Sequence, residues 1–248
     1  MEEKHIQGKK VIQFNGVVRE FKPEDRVHVQ RIFSEGMMEM IYDTSIRGFR
    51  YHPESLLLYS AMTIAGFVLT KCWWMIVLLP VLVLCGRYLC SRWVILAYLT
   101  EAMRTDMSHM EEVYINSPNS CLWVAVLKDQ VVGVVAAVHE GKNSARLKRM
   151  SVDRRFRRCG VGKALGWKVL EYAVAQGFST VVLGTTAYSA AAHKLYQGLG
   201  FQCVAVENGH MAPSEPTFPL IGIFYRVYLN HYILEVQNIP VDLCKRQE

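Results

Sequence analysis

From Leu56 to Cys90 the chain is almost wholly apolar, interrupted by Lys71 near the middle, by Pro80 and by Arg87. A buried helix of ordinary length does not need so much apolar surface, so the run reads as a membrane segment; a soluble hydrophobic helical hairpin is the alternative. The run also constrains everything around it. Ahead of it, Val17 to Phe21 alternates like a short strand, and from Pro23 onward Val27, Ile32, Phe33, Met37, Met40 and Ile41 recur at near-helical spacing. If this strand and helix belong to one domain with the later strands, both ends of the run lie on one side of the membrane, which excludes a single crossing. About 35 residues of helix at ~1.5 Å per residue reach ~52 Å, whereas two crossings of a ~30 Å core need ~60 Å. A re-entrant or shallow hairpin therefore fits better than two full spans. Lys71 and Trp73-Trp74 are expected at its turn, and Arg87, Tyr88, Arg92 and Trp93 at its exit on the cytosolic face.

Composition supports this division of labour. The chain has 248 residues, 51% of them hydrophobic, enough for a core with a surplus that the apolar run absorbs. The net charge of +6 suits an anionic ligand, an anionic membrane surface or nucleic acid without choosing between them. Seven cysteines form no CxxC pair and no metal spacing with the histidines, so a reduced compartment, no disulfide framework and no metal are expected. The polar, mixed-charge start resembles neither a secretory nor a transit sequence, and a cytosolic beginning is expected.

Past the run, Leu96, Leu99, Met103, Met107, Met110 and Val113 continue at three- and four-residue spacing, so a helix leaves the membrane and enters the domain. Ser108 with Glu111 reads as a capping box, with Thr105-Asp106-Met107 as a joint between two helical pieces. Two hairpin-linked strands follow, Cys121 to Leu127 and Val131 to Val138, then a strand from Ala145 to Val152. Phe201 to Val206 is a further strand, and Phe218 to Val236 suits a long last strand or pair. The expected organisation is a disordered lead-in over 1–16, a first strand and helix over 17–53, the membrane insert over 54–90, the rest of the domain over 91–240 and a tail over 241–248.

The stretch from Arg149 to Gly200 carries the chemistry. Strand, glycine-broken basic loop, helix, strand and helix succeed one another with almost no slack. The loop Arg157-Arg158-Cys159-Gly160-Val161-Gly162 sits where strand gives way to helix, a place where unpaired backbone N–H groups and the helix dipole favour phosphate. It is neither a Walker loop nor GxGxxG. An ordinary glycine turn competes with this reading, and the arginines could equally serve as a solvated face or a nucleic-acid patch; no aromatic interleaving or reader motif accompanies them, which disfavours nucleic acid as a partner.

R-x-x-G-x-G after a strand, with Ala191-Ala192-His193-Lys194-Leu195-Tyr196-Gln197-Gly198-Leu199-Gly200-Phe201 some thirty residues on, resembles the GNAT superfamily of acetyl-CoA-dependent N-acetyltransferases. The resemblance covers about Val17 to Val236. The early apolar insert and the segments TDMSHMEEVY, SCLWVAVL, RMSVD, VVLGTTA and AAHKLY are similar to its membrane-anchored camello branch, above all to the members that make N-acetylaspartate. It implies an α/β (α+β) GNAT fold: a mixed, mostly antiparallel central sheet flanked by helices, with a membrane-embedded helical hairpin after the first helix. The implied activity is direct transfer of acetyl from acetyl-CoA to the amine of a small acceptor, L-aspartate first, with cysteine S-conjugates or protein lysines as alternatives. A membrane-anchored acetyl-CoA-binding module without turnover is the alternative of another class. The implied setting is the endoplasmic reticulum membrane with the catalytic domain facing the cytosol, or a mitochondrial association.

Residue by residue, the resemblance assigns the coenzyme A pyrophosphate to the backbone of Arg158, Cys159, Gly160, Val161, Gly162 and Lys163, adds Arg157 to the cofactor-binding residues, and gives the pantetheine amides to Met150 and Val152. Tyr196 falls on the family's tyrosine, placed to protonate the departing thiolate. Ser189 stands where the superfamily often has an asparagine on the cofactor arm, and serine still hydrogen-bonds. Tyr196 taken alone, among Ala192, Leu195 and Leu199, would be a core tyrosine. Glu101, Asp106, Glu111, Glu140 and Asp153 are the carboxylates near the expected site, none of them singled out as a base. For an acceptor bearing carboxylates, guanidinium forks are wanted, and Arg47, Arg50 and Arg149 are the candidates. Arg47 and Arg50 serve equally well as structural or lipid-headgroup contacts.

Overall fold

A computed structural model of the chain describes residues 14–46, 48, 53–141, 143–208 and 227–238. Seven strands form one sheet: β1 (Val17–Glu20), β2 (Cys121–Leu127), β3 (Gln130–Glu140), β4 (Ser144–Val152), β5 (Thr180–Thr186), β6 (Gln202–Asn208) and β7 (Tyr228–Glu235). Their order is β1-β2-β3-β4-β5-β7-β6, antiparallel everywhere except between β4 and β5. The helices are α1 (Arg26–Ser45), α2 (Pro53–Thr70), α3 (Met75–Arg104), α4 (Val161–Ala175) and α5 (Ala190–Gly198). The expected mixed, mostly antiparallel sheet with flanking helices is present. Of the long last strand or pair expected over Phe218–Val236, β7 is described and the part before Val227 lies outside the described residues, as does most of the lead-in.

The sheet is buried on both faces, which explains why β3 reads QVVGVVAAVHE rather than alternating apolar and polar. On one face α4 supplies Val161, Leu165, Val169 and Leu170, and the C-cap of α5 supplies Leu199, to a cluster with Trp123, Ala145, Leu147, Val181 and Leu183. On the other, α1 and α3 supply Ile32, Phe33, Met37, Ile95 and Ala102 against Leu122, Val124, Val134 and Ala136. The β2–β3 hairpin closes through Lys128 and Asp129, both at positive φ, the conformation that a two-residue turn matched to strand twist demands.

The apolar run folds as α2 and α3, packed against each other where a Cβ on Gly66 would come within 2.8 Å of a Leu79 methyl. Lys71, at φ 55°, ends α2 and opens the turn to Met75. Trp73 and Trp74, 76% and 78% exposed, sit at its tip. α3 is one continuous helix of 30 residues, and it alone among the described helices is long and apolar enough to cross a membrane. Its first half is largely exposed, while Val94, Ile95 and Ala102 are buried in the domain.

α3 stops at Arg104, and the chain passes through a joint at Thr105–Ser108 into a π-helical turn at Glu111–Ile115. The capping box expected there does not form. Ser108 donates its hydroxyl back to the Met103 carbonyl, and Glu111 pairs with Arg26 instead of reaching its own backbone. The wider π turn, closed by Asn116 N–H donating to Glu111 C=O at 2.8 Å, needs no such cap.

Candidate active site

β4 and β5 are joined by only three residue pairs, Ser144–Thr180, Ala145–Val181 and Arg146–Val182, and then diverge. The divergence has a local cause. Opposite Val135 of β3, β4 carries both Arg149 and Met150, a bulge with Arg149 at φ 54°, which bends the strand away. From Leu147 to Val152 the β5-facing edge of β4 therefore has no strand partner. Met150 and Val152 lie on that edge, where extra backbone amides of a ligand can pair.

β4 runs into the basic loop through Asp153, whose buried carboxylate accepts from the Arg155 backbone (3.0 Å) and side chain (2.8 Å) and from Arg31 (3.1 Å). These bonds, the Arg155 one first, hold its carboxyl well below the usual range. Arg157 donates to the Val152 carbonyl (3.0 Å) and pairs with Glu39 of α1. Half of the basic side chains thus fold the loop rather than face a ligand, whereas Arg154 and Arg158 are exposed and pair with no described residue. Arg158 (φ 63°) and Gly160 (φ 82°) are both left-handed, so the backbone curls just before α4. The first α4 bond of the loop is Ala164 N–H to Gly160 C=O at 3.0 Å, leaving the N–H groups of Val161, Gly162 and Lys163 at the positive end of a 15-residue helix. That concave set of amides fits a pyrophosphate.

Gly162 has a second use. A Cβ there would stand 3.2 Å from Leu195 of α5 and 3.8 Å from Val152, and one at Gly166, a turn later, 2.4 Å from Leu199. The two glycines let α5 lie close on α4, bringing the end of β4, the loop and the residue before Tyr196 to one place. Tyr196 is 6% exposed, edge-on to Phe201 and beside Tyr232. Burial pushes its phenol up, which keeps it protonated. Ser189 is the N-cap of α5, yet its hydroxyl makes no capping bond and is left for other work.

Arg149 is brought to the site but is already engaged. Its Nε and Nη2 donate to both oxygens of Asp106 (2.7 and 2.8 Å), its Nη1 donates to the Tyr98 hydroxyl (2.6 Å), and its guanidinium lies 5.0 Å from the Phe33 ring centroid. Tyr114, from the π turn, donates its hydroxyl to the same aspartate. Burial pushes the Asp106 carboxyl up, but the Arg149 bonds and charge outweigh it and hold it below its ordinary value. The fork expected for an acceptor is thus occupied by the protein itself. Arg47 and Arg50 lie outside the described residues.

Four of the five carboxylates near the site are ion-paired: Asp106 with Arg149, Glu111 with Arg26, Glu140 with Arg146 and Asp153 with Arg155. Asp106 and Asp153, held below their ordinary values by their arginines, are poor proton acceptors from an ammonium. Tyr98, Tyr114 and Glu39 were not singled out from the sequence, and Phe33 was read only as part of the helical spacing of α1.

Residues 92–201 match the model of the acetyltransferase (GNAT) family. The chain is 42% identical over 222 residues to the N-acetylaspartate synthetase of Danio rerio, covering 89% of this chain and 79% of that protein. It is 44% identical to the N-acetylaspartate synthetase of Homo sapiens, over 89% of this chain and 74% of that one. N-acetyltransferase family 8 member 3 of Mus musculus is 37% identical over 195 residues, 75% of this chain and 84% of that protein. Among solved structures, an N-acetyltransferase from Staphylococcus aureus Mu50 superposes with a TM-score of 0.50 at 16% identity, over 90% of this chain and 99% of that one, a likeness of fold. With a splayed β4–β5 cleft and an amide-lined loop at its mouth, the chain belongs to the GNAT family, in the camello-like group of the N-acetylaspartate synthetases, and is an acetyl-CoA-dependent N-acetyltransferase.

Proposed function

We propose that the protein transfers the acetyl group of acetyl-CoA to the amine of L-aspartate, releasing N-acetyl-L-aspartate and CoA. Identity of 42–44% along 222 residues with N-acetylaspartate synthetases carries this reading. Acetyl-CoA supplies an activated acyl group on a thiolate leaving group. The amides from Arg158 to Lys163 hold the pyrophosphate, Arg154 and Arg158 add charge, and Met150 and Val152 extend the β4 edge along the pantetheine. With α4 and α5 on that side of the sheet, the amine approaches from the opposite face, past α1 and α3. The amine lone pair forms the new C–N bond as the C–S bond breaks, Tyr196 passes its phenolic proton to the sulfur, and the proton lost by the nitrogen leaves through water.

The exposed halves of α2 and α3 lie in the membrane of the endoplasmic reticulum, with the catalytic domain in the cytosol. Both arms return to the same sheet, so they enter and leave by one face. Beyond the buried Tyr59 and Arg87, residues 60–70 of α2 and 75–86 of α3 reach about 16–18 Å against a core of ~30 Å, so the hairpin enters the membrane without crossing it.

An acceptor screen on the full chain in lipid vesicles, following CoA thiol release, tests the reaction. L-Aspartate should outpace other amino acids, cysteine S-conjugates and lysine peptides. Faster release with any of those reassigns the acceptor, and acetyl-CoA binding without release from any amine leaves a binding module.

A further inference from the structure

A membrane hairpin inserted into a catalytic domain need only anchor it, but here one arm also builds the site. α3 turns Arg87, Ser91, Val94 and Tyr98 toward the domain, at intervals of four, three and four that keep them on one helix face. Val94 packs with Ala187 and Tyr188, at the turn from β5 to α5, and Tyr98 holds Arg149 at the β4 bulge. The helix that leaves the apolar run therefore touches both strands where they part. Arg87 sits at the foot of this face and is 3% exposed. A guanidinium buried in an otherwise apolar stretch is costly and persists only where its donors are used.

Those donors reach several segments at once. Nε donates to the Ser45 carbonyl at 3.1 Å, in the last turn of α1, where carbonyls lack helical partners and the dipole is negative. Nη1 lies 3.4 Å from the Tyr59 hydroxyl of α2. Nη2 would be 3.0 Å from a Cβ on Gly48, and the Tyr188 ring 3.8 Å from that same point. The end of α1 and both hairpin arms thus meet around one cation, with Gly48 between it and the Tyr188 ring of the β5–α5 turn. We propose that Arg87 is a positioning residue: it locks the foot of the membrane hairpin to the end of α1, beside the β5–α5 turn, and so sets the acceptor side of the cleft, leaving the backbone cradle at Arg158–Lys163 in place. This rests on the reading above that the amine enters past α1 and α3.

The test uses the full chain in lipid vesicles, with acetyl-CoA and whichever amine wild type turns over fastest. Arg87→Met should raise the KM for the amine by about tenfold or more while the KM for acetyl-CoA stays within about twofold. Arg87→Lys, which keeps the charge and one donor, should recover part of the loss, and Tyr59→Phe should show a smaller rise of the same kind. Amide hydrogen exchange should quicken at 187–190 and not at 161–163. If Arg87→Met does not accumulate in membranes, Gly48→Ala, which presses a methyl on Nη2, should give the same split. An unchanged amine KM, a joint rise of both KM values, or exchange quickened equally at the two places overturns the proposal. A wild type that prefers another amine to aspartate defeats the acceptor assignment and leaves this test readable; if no amine is turned over, the exchange comparison decides alone.

Discussion

The two sides of β4 are built in opposite ways. On the α4 side the binding surface is backbone: left-handed Arg158 and Gly160 aim successive amides outward, while Arg155 and Arg157 fold the loop by pairing with Asp153 and Glu39. On the α3 side the surface is side chain: Arg149, Asp106, Tyr98 and Tyr114 satisfy one another in a buried cluster. A backbone cradle depends on a few dihedral angles and tolerates most side chains, whereas a side-chain lock depends on every member being present. The two should therefore fail differently.

Removing one member of the lock should have the largest effect. Asp106→Ala leaves Arg149 buried without its carboxylate, and about 3–5 kcal/mol of stability should be lost, measured by thermal or denaturant unfolding. A loss under about 1 kcal/mol would mean that the cluster behaves like a surface pair. The cradle should fail with the fold intact. Gly160→Val puts a β-branched side chain at φ 82°, which costs about 1–3 kcal/mol of strain or turns the backbone out of its cradle conformation, so acetyl-CoA affinity measured by calorimetry should fall about tenfold or more while the loss of stability stays below that of Asp106→Ala. Equal losses of affinity in Asp106→Ala and Gly160→Val would erase the distinction between the two sides.

Tyr196→Phe probes what both sides serve. It should lower kcat on the order of 10²-fold, the usual worth of a placed acid, with acetyl-CoA affinity unchanged. Because burial holds the phenol protonated, no loss of rate from it is expected between pH 6 and about pH 9. The smallest effect is in acid. Asp106 and Asp153 are both held below their ordinary values, so the stability they lend is complete above the unfolded carboxylate value of about 3.9 and drains away as the pH falls below it. Melting temperature should drop between about pH 4 and pH 2, and Asp106→Asn should flatten that slope.

The same contrast explains what the sequence made legible. The cradle is a local object: strand, R-x-x-G-x-G and helix are consecutive, and Gly160 at an N-cap announces its own dihedral angle. The periodicity of α1, the β2–β3 hairpin and the continuation of the apolar helix into the domain were readable for the same reason. The lock is assembled from positions 33, 98, 106, 114 and 149, which no spacing rule relates. Thus Arg149 could be recognised as an arginine near the site but not as one already paired. Ser108 and Glu111 misled in a related way, since a capping box presumes an α-helix and the backbone there closes as a π turn. Gly162 was assigned to phosphate approach, and its close contact with Leu195 was invisible until α5 was placed.

The seam of three residue pairs between β4 and β5 has a mechanical consequence. Four strands lie on one side of it and three on the other, so the two leaves of the sheet share their shortest ladder there and are otherwise joined by the core beneath α4. A ligand arm laid along Met150 to Val152, as proposed above, would supply the missing rungs and lengthen that ladder from within. The free enzyme should therefore breathe by flexing at the seam, and occupancy should stiffen the two leaves into a single plate.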